Sequence, residues 1–136
     1  KTDVTNYGYG PYESYSDKHR ASWVDRFDTT VDDMFEDYVF PQENGSHYNC
    51  QYASVGNLFA KGKKPFSFQA SRYSEKELDE KAHNFELVPS DGIYVALDYK
   101  QSGIGSNSCG PRLAEKYQIR EEKIEWEISI RFDNKN

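Results

Sequence analysis

His47 and Cys50 lie three residues apart, a spacing at which two side chains can bind one zinc ion. A zinc site needs three or four ligands, and the other candidates are scattered along the chain: His19, His83 and Cys109. We therefore interpret His47 and Cys50 as part of a strand with alternating exposure and predict no metal site. A Cys–His nucleophile pair stays open, because residue types alone do not show which side chains meet.

Residues 103–108 have the sequence Gly-Ile-Gly-Ser-Asn-Ser, which only loosely matches a phosphate-binding loop. A dinucleotide-binding loop has a third glycine where this chain has Ser108, and a helix follows it. Here Gly110 and Pro111 follow instead. The pattern favours an irregular loop, and we predict no cofactor for this segment.

Carboxylates are abundant, but their number does not identify a catalytic pair. Glycoside hydrolysis needs two carboxyl groups about 5–10 Å apart, and 23 acidic residues guarantee many accidental neighbours. Glu43 stands out because it lies in a loop over residues 40–45, between Gln42 and Asn44 and near Pro41. This polar cluster either braces the loop or binds a sugar hydroxyl, and we favour bracing.

Length and charge exclude several classes of function. The chain has 136 residues with 17 basic and 23 acidic side chains, a net charge of −6. We predict a single domain over residues 1–136 and no binding to nucleic acid or membrane, since both present negative charge. An aromatic content of 15% indicates a folded chain. Two cysteines are too few for a disulfide framework, although one bridge between them stays open.

The pattern of apolar residues predicts the elements that position these groups. Alternation of apolar and polar residues predicts a long strand over residues 124–132, with one buried face, and a second over 92–99. Weaker strands are predicted over 48–55, 57–60 and 65–70, with a turn at 61–65.

One helix is predicted over residues 75–82, with Ser74 as N-cap and Glu77 completing a capping box. Residues 101–111 form a long loop rich in Gly, Ser and Asn, and such loops are often functional. We predict an all-β fold, mainly an antiparallel β-sandwich with one short helix.

Several ordered motifs resemble the C-terminal domain of β-galactosidases of glycoside hydrolase family two, which also occurs as a separate small chain. The motifs span most of the sequence, from about residue 7 to residue 132. They are YGYGPYESYSD (7–17), TVDDM (30–34), YVFPQENG (38–45), FSF (66–68), SRYS (71–74), LDYKQ (97–101) and GIG (103–105).

The resemblance implies a β-sandwich of the supersandwich type, of which this chain is a partial domain, its second half. It places the two catalytic glutamates in a barrel outside this chain, so no catalytic residue is assigned here. It also implies that the loop after residue 105 lines the active site. The family has a sugar-stacking tryptophan there, near Cys109 of this chain, and cysteine has no ring to stack. The expected substrate-binding residues are Asn107, Ser108 and Cys109.

The expected function is that of a non-catalytic segment in a cytoplasmic β-galactosidase. The parent would hydrolyse terminal β-D-galactosides such as lactose with retention. Its expected partners are the remaining domains of the parent, the galactoside and other subunits of an oligomer. The alternative is a stand-alone carbohydrate-binding module. A module would show a row of exposed rings, whereas a β-galactosidase segment would place Trp23, Trp126 and most tyrosines in the core or at an interface.

Overall fold

The computed structural model describes residues 2–105 and 113–134, and it is built on one antiparallel sheet. Strands β1 to β5 have the order β2-β1-β3-β4-β5, and β6 also pairs with β4. The predicted all-β class, mainly antiparallel with one short helix, is confirmed. The strand bounds are Asp3–Gly10 (β1), Trp23–Thr30 (β2), His47–Val55 (β3), Leu58–Ser71 (β4), Tyr94–Asp98 (β5) and Ile128–Phe132 (β6).

All six strands of the described residues belong to this sheet. A sandwich requires a second sheet packed about 10 Å away. The supersandwich, the partial domain and the assignment of residues 1–136 to one domain therefore stay predictions. No helix in the described part of the chain is long and apolar enough to cross a membrane.

The predicted turn at residues 61–65 is wrong, because β4 runs through it without a break. Lys61 and Gly62 pair with Ser129 and Ile128 of β6, which keeps the backbone extended. The partner then changes, since β5 pairs with β4 only from Ser67 onward. Pro65 lies in the gap between these two partners, where its missing N–H removes no ladder hydrogen bond.

The C-terminal strand differs from its prediction in length and in burial. Strand β6 covers only Ile128–Phe132, and it pairs with β4 at an edge. Trp126 and Ile128 pack against the core. Ile124 and Ile130 are each 48% exposed, and Phe132 is 65% exposed. The alternation of apolar and polar residues is therefore present. Among the described residues, however, no layer packs over the apolar face of the strand, so the prediction that this face is buried is wrong.

Strand β1 was not predicted, because small and polar residues conceal its period of two. Val4, Asn6, Gly8 and Gly10 are buried, while Thr5, Tyr7 and Tyr9 are half-buried and Asp3 is exposed. A Cβ at Gly8 would lie 2.7 Å from the Cys50 sulfur and 2.8 Å from its Cα. Only glycine permits this approach between β1 and β3.

The core lies on one face of the sheet, under strands β1, β3 and β4. Helix α1 (Glu75–Glu80) follows β4, and its Leu78 is buried. The predicted N-cap is confirmed, since Ser74 Oγ accepts the N–H of Glu77 at 3.0 Å. The Glu77 carboxylate accepts the N–H of Val88, and the helix ends before the predicted residue 82. The buried core residues are Val4, Val31, Met34, Cys50, Ala53, Val55, Ala60, Phe66, Phe68 and Ala70.

Candidate functional site

A buried carboxylate organises the loops at one end of the sheet. The Glu13 side chain is 4% exposed and accepts a hydrogen bond from Lys18 Nζ at 2.5 Å. It also accepts hydrogen bonds from the hydroxyl of Tyr38 and, at 2.8 Å, from the N–H of Gly45. Burial disfavours the charged amine, but the hydrogen bonds to Glu13 and Tyr38 outweigh it and raise the pKa of Lys18. Glu13 thus joins the segment after β1 to the loop before β3.

Gly45 is required at this junction. Its φ is +72°, and a Cβ there would lie 2.5 Å from the main-chain oxygen of Met34. The loop is braced further because Asn44 Nδ2 donates to the Gln42 oxygen and Asn44 Oδ1 accepts the N–H of Glu36. The bracing interpretation of this loop is therefore confirmed for Gln42 and Asn44.

Glu43 faces a second polar group beneath the same loops. The buried Tyr15 hydroxyl donates to Glu43 Oε1 at 3.2 Å. Burial raises the pKa of Glu43 to about 6, and the nearby charges of Asp98 and Glu75 act in the same direction. Burial likewise raises the pKa of Tyr15. The carboxyl braces Tyr15, in line with the favoured interpretation, and binding of a sugar hydroxyl by Glu43 stays the open alternative.

The start of the 101–111 loop is held by a tight turn. Tyr15 and Lys18 exchange main-chain hydrogen bonds of 2.8 and 3.0 Å. Between them, the two carboxylate oxygens of Asp17 accept the N–H groups of Ile104 and Gly105, each at 3.1 Å. Two consecutive amides thus converge on one carboxylate, a small backbone nest for an anion.

Asp17 also lines an open cleft of about 690 Å³ between residues 12–22 and 36–38. Tyr12 and Tyr38 give the cleft aromatic walls, while Lys18 and Glu36 place charges of both signs in it. Burial and the charge of Glu13 raise the pKa of Glu36. The cleft therefore combines flat apolar surface with hydrogen-bonding groups and lies beside the anchored loop.

The three predicted substrate-binding residues, Asn107, Ser108 and Cys109, lie outside the described residues. The structure places the chain up to Gly105, two residues before Asn107. Sequence reasoning assigned no role to Glu13 or Asp17. Both fall within a motif of the resembling family, but no local pattern indicates that their partners lie far along the chain.

His47 and Cys50 both lie in β3, as the strand interpretation predicts, but their exposure does not alternate. Asn49 has a φ of +57°, and the register shifts on either side of Cys50, so a bulge turns both side chains inward. His47 Nδ1 is 2.9 Å from the main-chain oxygen of Tyr9. The Cys50 thiol is free, lies against the main-chain oxygen of His47 and has its pKa raised to about 12 by burial. Such a thiol is a poor nucleophile.

Comparison with known proteins identifies the family of this chain. The family model described as "Beta galactosidase small chain" matches residues 1–132. A β-galactosidase of Actinobacillus pleuropneumoniae is 49% identical over 130 residues, covering 96% of this chain and 12% of the relative. One of Staphylococcus xylosus is 41% identical over 133 residues, covering 95% of this chain and 13% of the relative. This chain thus spans about an eighth of the length of these relatives and belongs to the β-galactosidase small chain family.

Proposed function

We propose that this chain is the C-terminal, non-catalytic segment of a family-two glycoside hydrolase, a β-galactosidase. The parent hydrolyses terminal β-D-galactosides such as lactose with retention, through a glycosyl-enzyme intermediate. The family match and the identity of the relatives as β-galactosidases support this proposal, and their much greater length leaves room for a separate catalytic domain. The proposed parent is cytoplasmic and oligomeric, as the resemblance implies.

The proposed contribution of this segment is packing against the other domains and one wall of the active-site cleft. The observation that carries the second role is the anchoring of the loop at Ile104 and Gly105. A wall that contacts substrate must be held in place, because ordering a mobile loop on binding costs free energy. Asn107 and Ser108 offer donors and acceptors for sugar hydroxyls.

The test uses the full-length protein that contains this chain. It should hydrolyse o-nitrophenyl β-D-galactoside and lactose, and proton NMR should detect the β-anomer of galactose as the first product. The matched β-glucoside is the control. Absence of galactoside turnover, or α-galactose as the first product, would contradict the proposal.

The isolated chain should be inactive, because the proposal places the catalytic carboxylates elsewhere. Purified residues 1–136 at high concentration should release no more nitrophenol than buffer does. Turnover that disappears when one of its own acidic residues is replaced would overturn this assignment.

Contact between Cys109 and the sugar can be tested by restoring a ring at that position. In the full-length enzyme, Cys109→Trp should change KM for lactose and for an aryl galactoside. A stacking contact contributes on the order of 1 kcal/mol, or several-fold in affinity, whereas a clash raises KM. A folded variant with unchanged kcat and KM on both substrates would remove Cys109 from the site.

The alternative function is a stand-alone carbohydrate-binding module. One observation favours it, since Trp23 is 53% exposed and does not lie in the core of this chain. If the chain is instead a segment of a β-galactosidase, as proposed, Trp23 lies at an interface with another domain. Galactose binding by the isolated chain that is lost in Trp23→Ala would support the module, and absence of such binding supports the segment.

A further inference from the structure

Four apolar side chains outside the core lie mostly in solvent. They come from two segments, residues 36–41 between β2 and β3 and residues 83–88 between helix α1 and β5. Each is between 66% and 88% exposed, which makes them the four most exposed large apolar side chains of the described residues. Apolar side chains exposed together on a protein surface indicate a site of interaction. We call this set the apolar patch: Val39, Phe40, Phe85 and Val88.

Asn84 joins the two segments of the apolar patch. Its Nδ2 group donates to the carboxylate of Asp37 and to the main-chain oxygen of Tyr38. Val39 follows Tyr38 directly, and Phe85 follows the asparagine. The two segments thus meet at this junction, although the residues that it joins lie 46 positions apart in the sequence. The patch is therefore a product of the fold and not of one apolar run.

The backbone of the second segment is held in place by side-chain hydrogen bonds. The Glu77 carboxylate of helix α1 accepts the N–H of Val88 at 2.9 Å. The Glu86 carboxylate accepts the N–H of His83, also at 2.9 Å. Phe85 stacks on the ring of His83, with 5.1 Å between the ring centroids. Ordering a mobile segment on contact costs free energy, and a segment fixed in this way avoids most of that cost.

Acidic side chains border the apolar patch. Glu36 and Asp37 lie in its first segment, Glu86 lies in its second, and all three are exposed. His83 is the one residue of the two segments that can carry a positive charge. A second copy docked on the same patch would bring these carboxylates together, and like charges across an interface are unfavourable. Charge complementarity therefore favours a partner with an apolar centre and a basic border.

We propose that the apolar patch is the surface on which another domain of the same parent protomer packs, through an apolar face bordered by lysine or arginine side chains. The inference rests on the proposed function, in which this chain is a segment of a larger β-galactosidase, and it names the surface for the packing role. The length of the relatives supports this occupant, because this chain covers only 12% and 13% of the two described above.

Hydroxyl-radical footprinting of the full-length protein tests whether the patch is covered, with mass spectrometry reading the oxidation of each ring. If Phe85 were free in solvent, it would react about as fast as in the same protein unfolded in urea. Under the proposal, Phe85 and Phe40 react several-fold more slowly than in urea. Buried Phe66 of the core gives the reference for complete protection.

A matched pair of variants tests the basic border. In the full-length protein, Val39→Glu and Val39→Lys both place a charge in the apolar contact, so both should raise the oxidation of Phe85. Val39→Lys should raise it more, because its ammonium group meets basic side chains. Val39 is exposed within this chain, so neither change disturbs the core of the segment. Lys123→Glu, at a side chain that is 80% exposed, controls for a change of surface charge and should leave Phe85 protected.

The outcomes separate this inference from the proposed function. Oxidation of Phe40 and Phe85 at the unfolded rate would show that the patch is free, and the inference would fall. If dilution to monomers, followed by light scattering, exposes Phe85, the patch is a contact between subunits and the inference is also wrong. An equal effect of Val39→Glu and Val39→Lys would contradict the basic border. If the patch is protected but the full-length protein hydrolyses no galactoside, the proposed function falls and the docking surface stands.

Discussion

The strongest alternation of apolar residues, at 124–132, is largely exposed to solvent. Two polar segments, around residues 13–15 and 44–47, are among the most buried parts of the described chain. Ile124, Ile130 and Phe132 alternate regularly and are half to two-thirds exposed. Glu13, Ser14, Asn44 and Ser46 are all buried. The comparison shows that alternation indicates a strand, but burial depends on what covers it.

Most polar groups of these two segments have hydrogen-bond partners, although the Ser46 hydroxyl has none among the described residues. The N–H of Ser14 donates to the Ser46 oxygen at 2.7 Å, and Ser14 Oγ accepts the N–H of Tyr48 at 2.9 Å. Gln69 donates to the main-chain oxygen of Asn44. Buried polar groups with partners avoid most of the cost of desolvation. Strand β6, in contrast, has β4 as its one neighbouring strand within the described part of the chain and carries its apolar side chains at the edge of the sheet.

The largest expected effect is at Glu13. Glu13→Ala in the full-length protein should destabilise the loops around residues 13–15 and 44–47 by about 3 kcal/mol, because the N–H of Gly45 and the hydroxyl of Tyr38 lose their acceptor. Hydrogen exchange of peptides spanning these loops measures the change. As a control, replacing the exposed Glu127 with alanine should lower the free energy of unfolding by less than about 0.5 kcal/mol. Similar exchange rates in the two variants would show that the buried carboxylate is not what holds the loops.

A smaller, pH-dependent effect is expected at Glu43. Its folded pKa is about 6 against an ordinary 4.5, so its protonated form is favoured in the folded protein. The stability from this group is complete below pH 4.5 and is lost as pH rises through about 6. Glu43→Gln should therefore be more stable than wild type by roughly 1–2 kcal/mol at pH 7.

The measurement for Glu43 is thermal unfolding of the full-length protein and its Glu43→Gln variant from pH 4 to pH 8. The advantage of the variant should shrink on acidification and vanish near pH 4.5. An advantage that is constant across this range would contradict the role of ionisation. Glu80→Gln, on the exposed end of helix α1, controls for the loss of one surface charge.

The smallest expected effects lie in β6 and revise the expectation from the alternating pattern. With a core-facing strand, Ile128→Ala would cost about 2–5 kcal/mol. Since Ile128 is only half-buried and Ile130 is exposed, we expect about 1–2 kcal/mol for Ile128→Ala and less than about 1 for Ile130→Ala. Hydrogen exchange of peptides spanning β4 and β6 measures the loss of stability in each of the two variants. Large and equal losses of stability in Ile128→Ala and Ile130→Ala would indicate that another part of the parent covers this strand.

Local features of the fold were predictable because their causes lie within a few residues. Ser74 caps a helix through an N–H three positions ahead, and the loop at 40–45 follows from Pro41 and from the left-handed backbone of Gly45. Strands β3 and β5 and the all-β class follow from patterns of period two. The resemblance of ordered motifs also indicated the family before any fold was known.

Burial and the candidate site depended on contacts between distant parts of the chain. Strand β4 is continuous because β6 pairs with it. Strand β1 buries one face because Gly8 allows its backbone to approach Cys50 of β3. The anchoring of the 101–111 loop joins Asp17 to amides 87 and 88 residues away. A sequence specifies the donors and acceptors, but only the packed sheet brings those at such separations within hydrogen-bond distance, since short-range backbone preferences do not determine long-range proximity.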